Sequence, residues 1–230
     1  MRESVKWFRG ANRGEDGSER SLAPTAAPST ARIWESPLRD VDYFVIDIET
    51  SGFSAQTDLI LSLAAGCMKG ADEFSDFIYQ FVRHPDISVV PAKIWDLTGL
   101  SPEVVEGGKD LREVLQAALS LALNRVWIAH HARHELSFLG RHARQLWRLR
   151  LRPIVIDTAV VAQALGRLPR TPTLDETCVW LDVPIHGRHR ADEDVRMTAE
   201  VWRREIVLCE KLGLRTVSDV IDWASARAMG

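Results

Sequence analysis

Cysteine is scarce in this chain. Its three residues, Cys67, Cys178 and Cys209, are scattered and form no CxxC pair. That pattern argues against a disulfide framework and against a zinc site. It predicts free core thiols in a reducing compartment, taken as the cytoplasm. Long apolar runs are missing too: nothing approaches the ~18 residues of a membrane helix, so no membrane partner is expected. Residues 1–20, MRESVKWFRGANRGEDGSER, mix charges of both signs and hold no apolar block, which reads against a secretory signal. A strong net charge is also absent, and −3 selects no class of partner. Lysine is rare, at 5 residues against 24 arginines. Arginine is the better phosphate ligand because its planar fork grips two oxygens at once. Residues 133–152, RHELSFLGRHARQLWRLRLR, hold 6 arginines and the single acid Glu135. Such a run is either a solvated helix face or a surface that tracks phosphates.

What remains is ordinary for a globular protein. With 46% hydrophobic and 27% charged residues over 230 positions, the chain can build one domain with a core and a tail. Residues 9–33 are rich in Gly, Ala, Ser, Pro and Arg, and 1–33 is expected to be a flexible N-terminal arm. The folded domain is expected over 34–213, with 214–230 as a C-terminal extension. Strands are predicted at 42–48, 58–68 and 74–82, and a short turn around Gly52 makes them an antiparallel meander. Ser101 and Pro102 open a helix. Asp110 and Glu113 form a capping box ahead of a second helix, whose apolar stripe is Leu111, Val114, Leu115, Ala118, Leu119 and Ala122. There follow a strand in RVWIAH, a helix over 134–148, a strand in PIVIDT and a short helix boxed by Thr173 and Glu176. A last helix over 191–212 closes at Gly213. Three strands, then alternating helix and strand, predict an α/β fold: a mixed sheet with helices on both faces.

The stretch YFVIDIETSGF, residues 43–53, reads as a buried strand that nevertheless carries Asp47 and Glu49. Residues two apart in a strand share a face, so these carboxylates lie within about 7 Å and repel, more strongly if part-buried. Protonation of one, a basic partner or a divalent cation would each resolve the conflict. Other segments add similar groups. WIAHHARHELSFL places His130, His131, His134 and Glu135 where a strand passes into a helix. HGRHRADEDV sets His189 five residues before Asp194, near the start of the last helix. Singly, each has a plain reading: acids suit a helix N-terminus, and His189 suits a loop.

In that order, D-x-E, a later acid and H-x4-D resemble the DEDDh exonucleases. This is the DnaQ-like group that includes the proofreading ε subunit of bacterial DNA polymerase III, RNase T and oligoribonuclease. FVIDIETSGF is similar to the first motif of that group, IWDLTGLSPEVV to its I-H-x-L-T-G-I-T segment, and IAHHARHELSFL to its V-A-H-N-A-x-F-D-x-x-F-L. VIDT at 155–158 matches the strand before its last motif. The resemblance covers about residues 40–208. It implies an RNase H-like five-stranded mixed sheet, three strands antiparallel and then parallel ones.

It also implies metal-dependent 3′–5′ exonuclease activity on single-stranded DNA, or RNA, releasing nucleoside 5′-monophosphates through two Mg²⁺, with Mn²⁺ able to substitute. On that resemblance Asp47, Glu49, Glu135 and Asp194 are metal ligands. Asp47 bridges both ions, Glu49 and Asp194 hold the ion beside the attacking water, and Glu135 supports the other. His189 is the general base, and Thr50 contacts the terminal nucleotide. Phe53 and Trp95 are candidates for base stacking, with His130 and His131 in the substrate groove. Three positions depart from the group's pattern: Glu135 replaces Asp, His131 and His134 replace Asn and Phe, and Trp95 replaces His. Two other readings stand beside this one: a catalytically weak nucleic-acid-binding or polymerase-associated module, and an unrelated α/β domain with exposed acids. The last requires Asp47 and Asp194 to lie more than about 10 Å apart, beyond the reach of one ion. A polymerase or other replication or repair chain is the expected partner, and homodimerisation is left open by these residues.

Overall fold

The computed structural model describes residues 30–228. Most of the expected N-terminal arm lies outside them. From Thr30 the chain enters α1 (Thr30–Trp34), passes a 3-10 turn at Leu38–Asp40 and reaches β1 (Asp42–Thr50). Then come β2 (Ile60–Lys69), β3 (Asp76–Phe81), α2 (Ala92–Thr98), α3 (Pro102–Glu106), α4 (Leu111–Leu121), β4 (Val126–Ala129) and α5 (Arg133–Trp147). β5 (Val155–Asp157), α6 (Thr158–Gly166), α7 (Leu174–Leu181), α8 (Ala191–Lys211) and α9 (Val217–Ala228) complete the order. The five strands form one sheet in the order β3-β2-β1-β4-β5. β1, β2 and β3 pair antiparallel, while β4 and β5 run parallel to β1. This is the mixed sheet predicted from the sequence.

Alternation along β1 divides the core. Tyr43 and Val45 face one side and pack with α6, α8 and α9 around Trp202, whose ring meets Tyr43 edge-on at 5.5 Å. Phe44, Ile46 and Ile48 face the other and pack with Leu115 of α4 and Phe138 of α5. Both faces of β1 are covered, so its interior reads as a continuous apolar run. The same alternation assigns Asp47 and Glu49 to the α8 side. All three cysteines are free and buried, as expected.

Local chemistry sets most boundaries. The Ser101 hydroxyl accepts from the Val104 N–H at the start of α3, and Thr173 and Glu176 close a complete capping box on α7. Asp110 caps α4 through the Arg112 N–H alone, without the reciprocal Glu113 contact expected. The turn around Gly52 covers residues 51–59, two places later than the predicted strand ends put it. It holds itself together: the Ser54 N–H donates to Asp58 at 2.8 Å, and Ser51 and Leu59 bond each other. Four helices lie where none was predicted, among them α1, which falls at the end of the expected N-terminal arm. α6 is apolar nearly all round and shows no stripe, and α2 is short with no side-chain cap. α9 follows the helix expected to be last, packs on α6 and buries Val217, Val220 and Ala224 in the same core.

Candidate active site

β1 is the central strand, and its last residues rise to the sheet edge where β4 also ends. Register with β2 shifts between Glu49 and Thr50, which turns the strand end away from its neighbour. On the α8 side, the first turn of α8 brings up Asp194. Oxygen atoms of Asp47, Glu49 and Asp194 all lie within 4.8 Å of one another. The reading as an unrelated domain with exposed acids therefore fails.

Glu135 comes from the first turn of α5 and is 4% exposed, and its Oε2 has no hydrogen-bond partner among the described residues. Asp194 Oδ1 is buried and unpartnered in the same way. Burial dominates the electrostatics here. It pushes Asp47 well above the usual carboxylate range, and the neighbouring Glu49, Glu135 and Asp194 push it further. Burial and then Asp194 raise Glu49 to about 8, and burial raises Glu135 to about 8. Four carboxyls cannot all ionise here without cations. A hard divalent cation fits this donor set: oxygens of Asp47, Glu49 and Asp194 converge, Asp194 Oδ1 is buried and unpaired, and Glu135 is near enough to push Asp47 up.

A pH prediction follows from these shifts. A carboxyl that titrates near 4.5 unfolded and about 8 folded makes the metal-free protein lose stability as pH rises from about 4.5 through about 8. Cation binding expels those protons. The midpoint for Mn²⁺ binding should therefore fall as pH is raised from 5 to about 8 and then level off, as calorimetry at several pH values will show. A pH-independent midpoint would remove the carboxyls from the binding site.

His189 sits in the loop before α8. Its backbone N–H donates to Asp194 Oδ2 at 3.3 Å, and its imidazole is near enough to lower the Asp194 pKa. His189 is part-exposed. Thr50, Phe53 and His134 form a patch at the strand end. The Thr50 hydroxyl donates to the Gly52 carbonyl at 2.7 Å, so it accepts from His134 Nε2–H at 3.2 Å. Phe53 is 94% exposed at the loop tip, with its ring 6.2 Å from that of His134.

His130 is committed within the protein. The Pro172 carbonyl can only accept, so Nε2 carries the proton, and Nδ1 accepts from the Thr158 hydroxyl at 2.8 Å. His131 is exposed and packs edge-on against His130. Trp95, on α2, packs on a satellite cluster around Leu61 and Ile94.

Sequence reasoning passed over Asp157. At the end of β5 it caps α6 by accepting from the Ala159 N–H, and it also accepts from the His131 and Ala132 N–H groups at 3.0 and 2.9 Å. α5 has no side-chain cap of its own. Asp157 thus supplies one from another element, holding His131 at φ +60° and fixing the helix start that carries Glu135. The one signal in the sequence is an Asp before a helix start. Asp157→Asn places an amide donor against a backbone donor. It should cost about 1–3 kcal/mol in thermal unfolding and also weaken Mn²⁺ binding. Equal loss of stability with unchanged Mn²⁺ affinity would leave Asp157 a purely structural cap.

Residues 44–202, well over half of the chain, match the family model RNase_T, described as exonuclease. The chain is 27% identical over 186 residues to the PolC-type DNA polymerase III of Thermotoga maritima, and 30% identical over 190 residues to that of Clostridium perfringens. Each alignment covers 81% of this chain and 13% of the relative, so the chain spans about an eighth of those relatives' length. Escherichia coli exonuclease I in complex with a dA16 oligonucleotide superimposes with a TM-score of 0.63 at 14% identity, over 76% of this chain and 43% of that one. No helix among the described residues is long and apolar enough to cross a membrane. With its sheet order, its converging carboxylates and this match, the chain belongs to the RNase T exonuclease family, the DnaQ-like group that its motifs resemble.

Proposed function

We propose that the protein is a DEDDh-type 3′–5′ exonuclease acting on single-stranded DNA ends, releasing nucleoside 5′-monophosphates. The observation that carries this reading is the convergence of Asp47, Glu49 and Asp194 within 4.8 Å, with the buried Glu135 beside them. These four residues would hold two Mg²⁺, or Mn²⁺ in their place. Bound there, the ions would supply positive charge at the attacking and leaving oxygens of an in-line displacement.

The chain's own groups do the rest. Asp47, fixed on the central strand, anchors the cluster. His189, beside Asp194, takes the proton of the attacking water, a task suited to an imidazole near neutral pH. The Thr50 turn and the exposed Phe53 ring receive the terminal nucleotide, Phe53 by stacking. Arg133, Arg144, Arg148, Arg150 and Arg152 are exposed and offer charge to the rest of the strand, a contact that salt weakens. Similarity to PolC-type polymerase III over a small share of its length supports a role beside a polymerase.

The test is degradation of 3′- and 5′-labelled single-stranded DNA and RNA oligonucleotides with Mg²⁺, with Mn²⁺ and with EDTA. Metal-dependent shortening from the 3′ end supports the reading, and the ratio of DNA to RNA rates assigns the substrate. No product from any oligonucleotide with either metal sinks it in favour of a binding module.

A further inference from the structure

Arg188 has no part in the scheme above, yet its guanidinium enters the carboxylate cluster. It forms ion pairs with Asp194 Oδ2 through Nη1 and with Asp175, at the start of α7, through Nε. The arginine side chain is 21% exposed, that of Asp194 7% and that of Asp175 48%. The inner pair is therefore largely sheltered from water and the outer one is not. The charge of Arg188 reaches further, opposing the repulsion felt by Asp47 and Glu49. The neighbouring His189 N–H shares the same oxygen of Asp194.

We propose that Arg188 is a built-in counter-cation that competes with the divalent metal for Asp194, with Asp175 receiving the guanidinium when the metal binds. This rests on the metal-binding reading of the cluster. Two cations cannot share Asp194 Oδ2 closely in a site this dry without mutual repulsion. Arg188 therefore sets the affinity of the site, and by linkage the metal loosens the Arg188–Asp194 pair by the same factor. Because His189 adjoins Arg188 and bonds the same carboxylate, metal loading also changes what holds the segment carrying His189.

The two partners of Arg188 give variants of opposite sign. Arg188→Gln removes the competitor and should tighten Mn²⁺ binding about tenfold by isothermal calorimetry. Asp175→Asn removes the receiving carboxylate, leaves Arg188 to Asp194 alone and should weaken Mn²⁺ binding by a few-fold. Arg188→Lys keeps the charge but loses the fork that spans both acids, and should stay closer to wild type than the Gln variant. Circular dichroism establishes that each variant is folded. Should Arg188→Gln not fold, the pair Asp175→Asn and Arg188→Lys still decides: weakening in the first with near wild-type affinity in the second supports the proposal. Unchanged or weaker binding in a folded Arg188→Gln overturns it, as does unchanged binding in Asp175→Asn. An Asp47→Asn control separates the two levels. If it binds Mn²⁺ as wild type does, or wild type binds none, the metal reading itself is lost and this proposal with it.

Discussion

Asp47→Ala is expected to lower the rate of 3′ shortening by at least about 10³-fold, with the chain still folded. Asp47 shares the central strand with Glu49 but lies two residues further from its end, on a strand bonded to β2 and β4. Its carboxyl faces Glu49 and Asp194 and feels Glu135, so its removal takes away the group common to the whole cluster. The effect on stability should run the other way. Without metal, Asp47 is a part-buried acid among acids, and Ala relieves that repulsion. The metal-free variant should melt at or above the wild-type temperature, and added Mn²⁺ should raise its melting point much less than it does for wild type. Loss of activity together with a large drop in metal-free melting temperature would assign Asp47 to folding. Activity within about tenfold of wild type would remove it from the chemistry.

Glu135→Gln is expected to reduce the rate about 10²-fold, close to 2.7 kcal/mol of transition-state stabilisation, while Glu135→Asp stays within about tenfold of wild type. Gln keeps the volume and loses the charge. Asp keeps the charge and loses one methylene from a side chain that is 4% exposed, so it leaves a small gap and a shifted carboxylate. The comparison decides whether the longer acid at this position is a working ligand. If Gln and Asp lose equally, charge and reach are both required, and if only Asp loses, reach and not charge is what matters. If neither loses activity, Glu135 is a buried neutral acid and the cluster works with three carboxylates.

Much of this architecture is written in short-range patterns. Period-2 alternation alone set Asp47 and Glu49 on one face, and the burial of Tyr43 and Val45 on the α8 side agrees with it. Ser101, Thr173 and Gly213 marked helix ends because caps act within one turn. Where the local signal was weak the reading stopped short. α6 has no polar face, α2 has no side-chain cap, and α9 opens on Thr216 and Asp219, whose mutual bonds are a capping signal that went unread.

The residues that join the site across the chain were not legible. Asp157 bonds His131 and Ala132, 26 and 25 positions away, and only the parallel pairing of β4 and β5 brings them together. Arg188 adjoins His189 in sequence, but its partner Asp175 lies on α7, and the loop between α7 and α8 must reverse the chain before one guanidinium can span Asp175 and Asp194. The sequence by itself determined which residue types were present and which strand face they shared, because side-chain direction is fixed by backbone geometry over a few residues. The tertiary structure decided how close the carboxylates came, how dry their surroundings were and which cation stood among them. Those depend on packing between elements far apart along the chain, and burial there, more than any neighbour in sequence, governs the charge of the site.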